Sequence, residues 1–189
     1  ESYIFENDNT GRRIAKALRR AALRGVKTHV LIDGFGSIDL PKTMVDHLKG
    51  AGVMVLKFRP KTSPWTFQRQ RLRRLHRKIV VVDQTIAFVG GINIIDDVDM
   101  PDETSPRYDY AVGVEGPLVK EIYASARRVW RRVAWTRLRS GWGRDSHIYA
   151  FTTESGGRMG AAFLVRNNIR HRRDIEEAYL QAIGQAQFE

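Results

Sequence analysis

The chain contains no cysteine, which excludes disulfide staples and thiolate metal sites and fits a cytoplasmic setting. No apolar run approaches the ~18 residues of a membrane-spanning helix, and no signal-peptide pattern is visible. Acidic residues are outnumbered, 21 Asp plus Glu against 32 Lys plus Arg, for a formal net charge of +11. That excess implies an anionic partner: nucleic acid, a phosphorylated substrate or an anionic membrane surface. A hydrophobic fraction of 42% over 189 residues is enough to bury a proper core, so a disordered chain is excluded and one domain of ordinary size is expected. The chain opens at Glu1 without methionine and stops within a helical pattern at Glu189, which leads us to expect a piece of a longer protein.

Strands and helices alternate from the start. Tyr3-Ile4-Phe5 reads as a short first strand, and Asn9-Thr10-Gly11 as a helix start. Ile14, Ala17, Leu18, Ala21 and Ala22 then recur at helical spacing, against a basic face that reads as solvated charge. Gly25 ends the helix. Val26 to Asp33 is the next strand, with His29 inside it as a structural histidine, and Gly34 to Ser37 forms a loop at its C-terminal end. Pro41 to Ala51 reads as a second helix with Met44, Val45 and Leu48 inward, and Val53 to Phe58 as a third strand. This order is the signature of a parallel α/β sheet.

Lys57 to Lys78 carries nine basic residues and no acidic one. Trp65 and Phe67 are interleaved with Arg69, Arg71, Arg73 and Arg74, a composition that suits an anionic lipid surface first and a nucleic-acid backbone second. Beyond Asn93, Asp96 to Glu103 is acidic, but its spacing does not fit a calcium loop, and it reads as a solvated or lid loop. Tyr108 to Glu115 alternates as a strand with Asp109 at its start. Leu118 to Trp135 is periodic as a helix, and Trp135 and Trp142 stand among arginines as interface candidates. Residues 141–160 look like a linker; Ala161 to Val165 has a strand pattern, and Asn168 to Gln187 a helical one.

The most informative stretch is Leu75 to Asn93, LHRKIVVVDQTIAFVGGIN. Ile79 to Val82 is a β-branched run that reads as a buried strand, so period-two geometry puts His76 and Lys78 on one strand face. Asp83-Gln84 is a turn, Thr85 to Val89 the returning strand, and Gly90-Gly91 a point of close backbone approach. The pattern His-x-Lys-x(4)-Asp-x(6)-Gly-Gly-x-Asn fixes six positions over 18 residues. It resembles the HKD motif of the phospholipase D superfamily. Within that superfamily the opening IFENDNTGRRIAKAL, the Gly-Gly-x-Asn ending and the late AFLVRNNIRHRRDIEEAYLQAI are most similar to the N-terminal half of bacterial cardiolipin synthases.

The resemblance implies an α/β fold with a mixed, largely parallel sheet flanked by helices in α-β-α layers. It divides the chain into a phospholipase D-like domain at 1–140, a linker at 141–160 and the start of a truncated second half at 161–189. Members usually carry two HKD motifs around one active site, whereas this chain shows one; His171-Arg172-Arg173 lacks the lysine, the aspartate and the apolar strand. A second HKD half, in cis or in a homodimer, is therefore an expected partner, along with anionic phospholipid and the bacterial cytoplasmic membrane, bound peripherally; nucleic acid is not expected. His76, Lys78 and Asp83 are the catalytic motif residues, with Lys78 and Asn93 on phosphate and Asp109 orienting the imidazole. Seven residues separate Asp83 from His76, giving the opposite strand parity, so Asp83 is expected at the hairpin turn and off the phosphate. Trp65, Phe67, Arg69, Arg71, Arg73 and Arg74 are the expected lipid contacts. Side chains supply all the proton transfer and charge stabilisation this chemistry needs, so neither metal nor cofactor is expected. The implied activity is phosphatidyl transfer giving cardiolipin through a phosphohistidine. Its rivals are a phospholipase D-type hydrolase or a single-motif nuclease acting as a dimer, and a non-enzymatic basic membrane-binding module.

Overall fold

Alternation along the first strands decides the layers. In β1 (His29–Asp33), Val30 and Ile32 face one side and Leu31 the other; in β2 (Met54–Phe58), Val55 and Leu56 divide in the same way. The two strands pair in parallel, His29 opposite Met54 through Asp33 opposite Phe58. Parallel neighbours need a crossover, and α2 (Lys42–Gly50) supplies it. One face of the pair is covered by α1 (Asn9–Leu23) and α2, whose Ala15, Val45 and Leu48 meet Phe5, Val30, Ile32 and Val55. The other face is covered by α3 (Leu118–Trp135), whose Trp130, Val133 and Ala134 meet Leu31, Leu56 and Leu75. Full burial of each such aliphatic side chain contributes about 1.5–3 kcal/mol, so two independent cores hold the sheet from opposite sides. His29 belongs to this packing: its ring meets Trp130 edge-on at 4.8 Å.

The computed structural model describes residues 1–60, 74–96, 108–135, 161–165 and 173–186. The chain divides into Glu1–Thr153 and Glu154–Glu189. In the first unit a second group of strands, β3 (Lys78–Val82), β4 (Ile86–Gly90) and β5 (Ala111–Glu115), is antiparallel, with Lys78, Gly90 and Ala111 in one row. The β3–β4 turn has Asp83 at φ 49° and Gln84 at φ 58°, closed by Thr85 N–H donating to the Val82 carbonyl at 3.0 Å. Two left-handed residues give the turn whose twist matches a hairpin. The first residues stitch the two strand groups together. Ser2 bridges Ile32, Ile79 N–H donates to the Glu1 carbonyl at 3.0 Å, and Phe5 bridges Ile94. The described strands thus form a two-stranded parallel sheet and a three-stranded antiparallel one linked through Glu1 and Ser2, so antiparallel pairing predominates over the largely parallel sheet expected.

The helix ends explain themselves. Asp8 accepts the Gly11 N–H at 2.7 Å as N-cap of α1. Gly25 (φ 89°) and Gly52 (φ 92°) close α1 and α2 with left-handed turns; Val26 N–H then reaches back to Ala21 and Val53 N–H to Leu48. The buried stripe of α1 differs from the expected one. Gly11 and Ala15 are buried and Leu18 and Ala22 pack against the core, while Ile14 is 38% exposed. Both stripes are periodic; at position 11 the smallest residue wins because a Cβ there would overlap the carbonyl of Glu6, in the segment that leads into the helix. In the second unit, α4 (Asp174–Gln185) buries none of its residues. Ala161 to Val165 forms no strand among the described residues, since a strand exists only with a ladder partner.

Candidate active site

β3 delivers the central pair. Leu75 is buried in the α3-side core, and Arg77 and Ile79 point the same inward way; Arg77 donates to Ser125 Oγ of α3 at 3.0 Å and lies 3.2 Å from Glu1 Oε2. Alternation then turns His76 and Lys78 outward. Lys78 Nζ stands 3.2 Å from both Nδ1 and Nε2 of His76, a spacing that puts the ammonium over the ring and off the in-plane lone pairs of its nitrogens. An ammonium against an imidazole is a ready cradle for an anion. Partial burial holds the Lys78 ammonium below its ordinary pKa, and the Asp109 carboxylate works against that shift.

The remaining motif residues gather at the same end of the sheet, with one exception. Asn93 is fixed by Ile4, whose N–H donates to its Oδ1 at 3.1 Å, which leaves Nδ2 as its donor end. Asp109 lies against Gly91, where a Cβ would sit 2.9 Å from its Oδ1. The close approach expected at Gly90-Gly91 is therefore made by the chain itself, and Gly91 N–H donates to the Tyr110 carbonyl at 2.8 Å. Among the described residues the polar partner of His76 is Lys78, and the charge of Asp109 falls on Lys78. Asp83 is the exception. It sits in the hairpin turn at the far end of β3 from His76, as the parity of the strand requires. Arg74 stacks over the Phe35 ring at 4.5 Å, whereas Trp65, Phe67, Arg69, Arg71 and Arg73 lie outside the described residues.

Two site residues escaped sequence reasoning. Asp33, at the end of β1, is fully buried. Its Oδ1 accepts from Phe35 N–H at 2.8 Å and Gly36 N–H at 3.1 Å, and its Oδ2 from Leu75 N–H at 2.7 Å. It thereby pins the residue before His76. Tyr3 is the second: its ring centroid is 4.9 Å from that of His76, tilted by 52°, and 5.7 Å from Lys78 Nζ. Of the acidic stretch expected as a solvated or lid loop, Asp96 is described: it accepts from Asn9 and Thr10 N–H at 3.0 and 2.8 Å, capping α1, while its own N–H donates to Asp8; residues 97–103 lie outside the described residues. Among the described residues no group of three or more His, Cys, Asp or Glu could hold a metal, and no helix is long and apolar enough to cross a membrane.

Residues 1–103 match the family of cardiolipin synthase phospholipase D-like domains. The chain belongs to the phospholipase D superfamily. Within this superfamily it is 37% identical to cardiolipin synthase B of Shigella flexneri and 36% to that of Escherichia coli K12, each over all of this chain and 45% of the relative. It is 39% identical to cardiolipin synthase A of Pseudomonas fluorescens over 68% of this chain and 27% of that protein. The chain thus spans about half the length of the cardiolipin synthase B relatives, and the match falls on their N-terminal half.

Proposed function

We propose that this chain is one half of a phosphatidyltransferase that makes cardiolipin from phosphatidylglycerol and a second phospholipid through a phosphohistidine. The observation that carries the proposal is the His76–Lys78 pair, 3.2 Å apart and turned outward beside Gly91, Asn93 and Asp109, in a chain whose relatives are named cardiolipin synthases. An imidazole is a competent nucleophile toward phosphorus, and splitting the transfer in two makes each step easier. In the first step a ring nitrogen attacks the phosphodiester of phosphatidylglycerol. The N–P bond forms, the P–O bond to the glycerol head group breaks, and a second histidine gives the departing alkoxide its proton. In the second step that histidine takes the proton of the incoming lipid hydroxyl, whose oxygen displaces the imidazole to give cardiolipin.

One chain supplies one of the two histidines. The other comes from the second phospholipase D-like half, in cis or from a second copy, and residues 161–189 are read as the start of that half. Lys78 and the Asn93 amide hold the non-bridging oxygens and stabilise the charge that develops on them. Asp109 faces Lys78 and helps keep it protonated. Proton transfer and charge stabilisation are both assigned to side chains, so the chemistry asks for no metal. These substrates place the reaction at the surface of the bacterial cytoplasmic membrane, and the +11 charge suits peripheral binding to anionic lipid.

The test uses the uninterrupted natural polypeptide, wild type and His76→Ala, with phosphatidylglycerol vesicles in excess EDTA. Cardiolipin and free glycerol from the wild type alone are expected. Phosphatidic acid in place of cardiolipin would mean that water is the acceptor and the enzyme a hydrolase. Absence of any lipid product would overturn the proposal and leave a nuclease as the reading to test.

A further inference from the structure

We infer that Tyr3 is a positioning residue for His76, acting through its ring and not its hydroxyl; the inference rests on the proposed chemistry at His76. His76 is solvent-exposed and stands just before β3, so its two side-chain torsions are not fixed by a surrounding core. Among the described residues the aromatic ring against it is Tyr3, at 4.9 Å between centroids and tilted by 52°, within the range of favourable ring pairs. The same ring lies 5.7 Å from Lys78 Nζ, within cation–π reach. One aromatic ring thus lies within interaction range of both members of the catalytic pair.

Tyr3 is itself held from three sides. Its carbonyl accepts from Ser37 Oγ at 3.0 Å, and that fully buried hydroxyl accepts in turn from Phe5 N–H at 3.0 Å. The next residue, Ile4, is tied to Asn93. Beneath the ring lies Gly36, where a Cβ would come within 2.5 Å of the Tyr3 carbonyl oxygen and 2.8 Å of the ring. Only glycine lets the ring reach His76. Once one ring nitrogen is bonded to phosphorus while the other keeps its proton, the imidazole is cationic, and a neighbouring aromatic ring can stabilise that charge. Ring contact also restricts the imidazole to one orientation, which matters because a displacement of about 1 Å at a reacting group can cost up to 10²-fold in rate.

The test measures kcat and KM in the intact polypeptide for phosphatidylglycerol and, separately, for bis(p-nitrophenyl) phosphate, which reports attack on a phosphodiester without any lipid. Tyr3→Phe should stay within about twofold of wild type, and Tyr3→Leu should lose about tenfold in kcat with KM nearly unchanged. Gly36→Ala, which keeps the tyrosine but displaces both its carbonyl and its ring, should follow Tyr3→Leu and serves if Tyr3→Leu does not fold. A wild-type kcat in Tyr3→Leu, an equal loss in Tyr3→Phe, or an effect confined to KM would each overturn the role of the ring. Wild type that cleaves the nitrophenyl ester but not the lipid overturns the lipid assignment alone, and the variant series still decides Tyr3. Wild type that cleaves neither overturns both.

Discussion

Replacing Asp33 with asparagine keeps the shape of the side chain and removes one acceptor oxygen. The carboxylate serves three backbone donors, Phe35 and Gly36 through Oδ1 and Leu75 through Oδ2. If the amide oxygen stays with Phe35 and Gly36, the amide nitrogen meets the Leu75 N–H donor to donor. Leu75 is 4% exposed, so water cannot take over. A hydrogen bond to a charged group contributes about 1.5–3 kcal/mol and an orphaned buried donor costs about 1–3 kcal/mol, two views of one loss. Asp33→Asn should therefore cost about 2–3 kcal/mol, and Asp33→Ala, which strips all three donors, about 3–5 kcal/mol. At about 2–4 °C per kcal/mol for a unit of this size, the asparagine variant should melt about 4–12 °C lower. Because Leu75 adjoins His76, turnover below the melting range should also fall, by about 10-fold or more. Thermal and urea melts of the intact polypeptide, with phosphatidylglycerol turnover measured beside them, check both. An Asp33→Asn variant with wild-type melting and wild-type turnover would refute the claim that this carboxylate seats the catalytic strand.

Other consequences follow from the same geometry. Lys78 holds phosphate only as the ammonium, its pKa lies below the ordinary 10.5 because of burial, and Asp109 opposes that shift. Activity should fall as pH rises through that lowered value, and Asp109→Asn should move the alkaline limb to still lower pH; an unmoved or raised limb in a rate–pH profile contradicts this. A Cβ at Gly90 would overlap the Tyr110 carbonyl and Ala111 Cα, backbone that cannot give way, whereas Gly50 has open space. Gly90→Ala should then lower the unfolding free energy from urea melts by about 1–3 kcal/mol or more, and Gly50→Ala should raise it by up to about 1 kcal/mol. The Asp96 carboxyl is held below its ordinary 3.8 by hydrogen bonds from Thr10, side chain first and backbone second, with further help from Asn9. A depressed pKa stabilises the fold above the unfolded value and loses that contribution as pH falls through the folded one. The stability gap between wild type and Asp96→Asn should therefore close in acid melts; a gap that persists at the lowest pH counts against the cap.

What the sequence makes legible is what local spacing determines. A histidine and a lysine two apart at the head of a β-branched run must share a face, and they do. Asp83 and Gln84 make the hairpin turn, and Leu118 to Trp135 forms one helix because its apolar residues keep the period over its whole length. Class and layering follow, since strand, helix and strand leave few other solutions. Contacts between distant residues are not legible in this way. Asp33 beside Gly34-Phe35-Gly36 carries the local signal of a side chain that accepts from the backbone two and three residues on. Nothing there points to Leu75, 42 residues away. Tyr3 reads as one apolar residue among three, and only folding brings it to His76 through Gly36. The α1 stripe differs from the expected one because hydrophobicity ranks Ile14 above Gly11, while the backbone of Glu6 leaves no room for a Cβ at position 11.

The most direct test of the central claim is the covalent intermediate. The intact polypeptide, wild type and His76→Ala, is incubated with phosphatidylglycerol labelled at phosphorus, denatured in alkali and freed of lipid. Expected is label bound to the wild-type chain, stable in alkali and lost in acid as a phosphohistidine is, and absent from His76→Ala. Cardiolipin formed without bound label, or label bound equally in the absence of His76, would contradict a transfer that runs through this site.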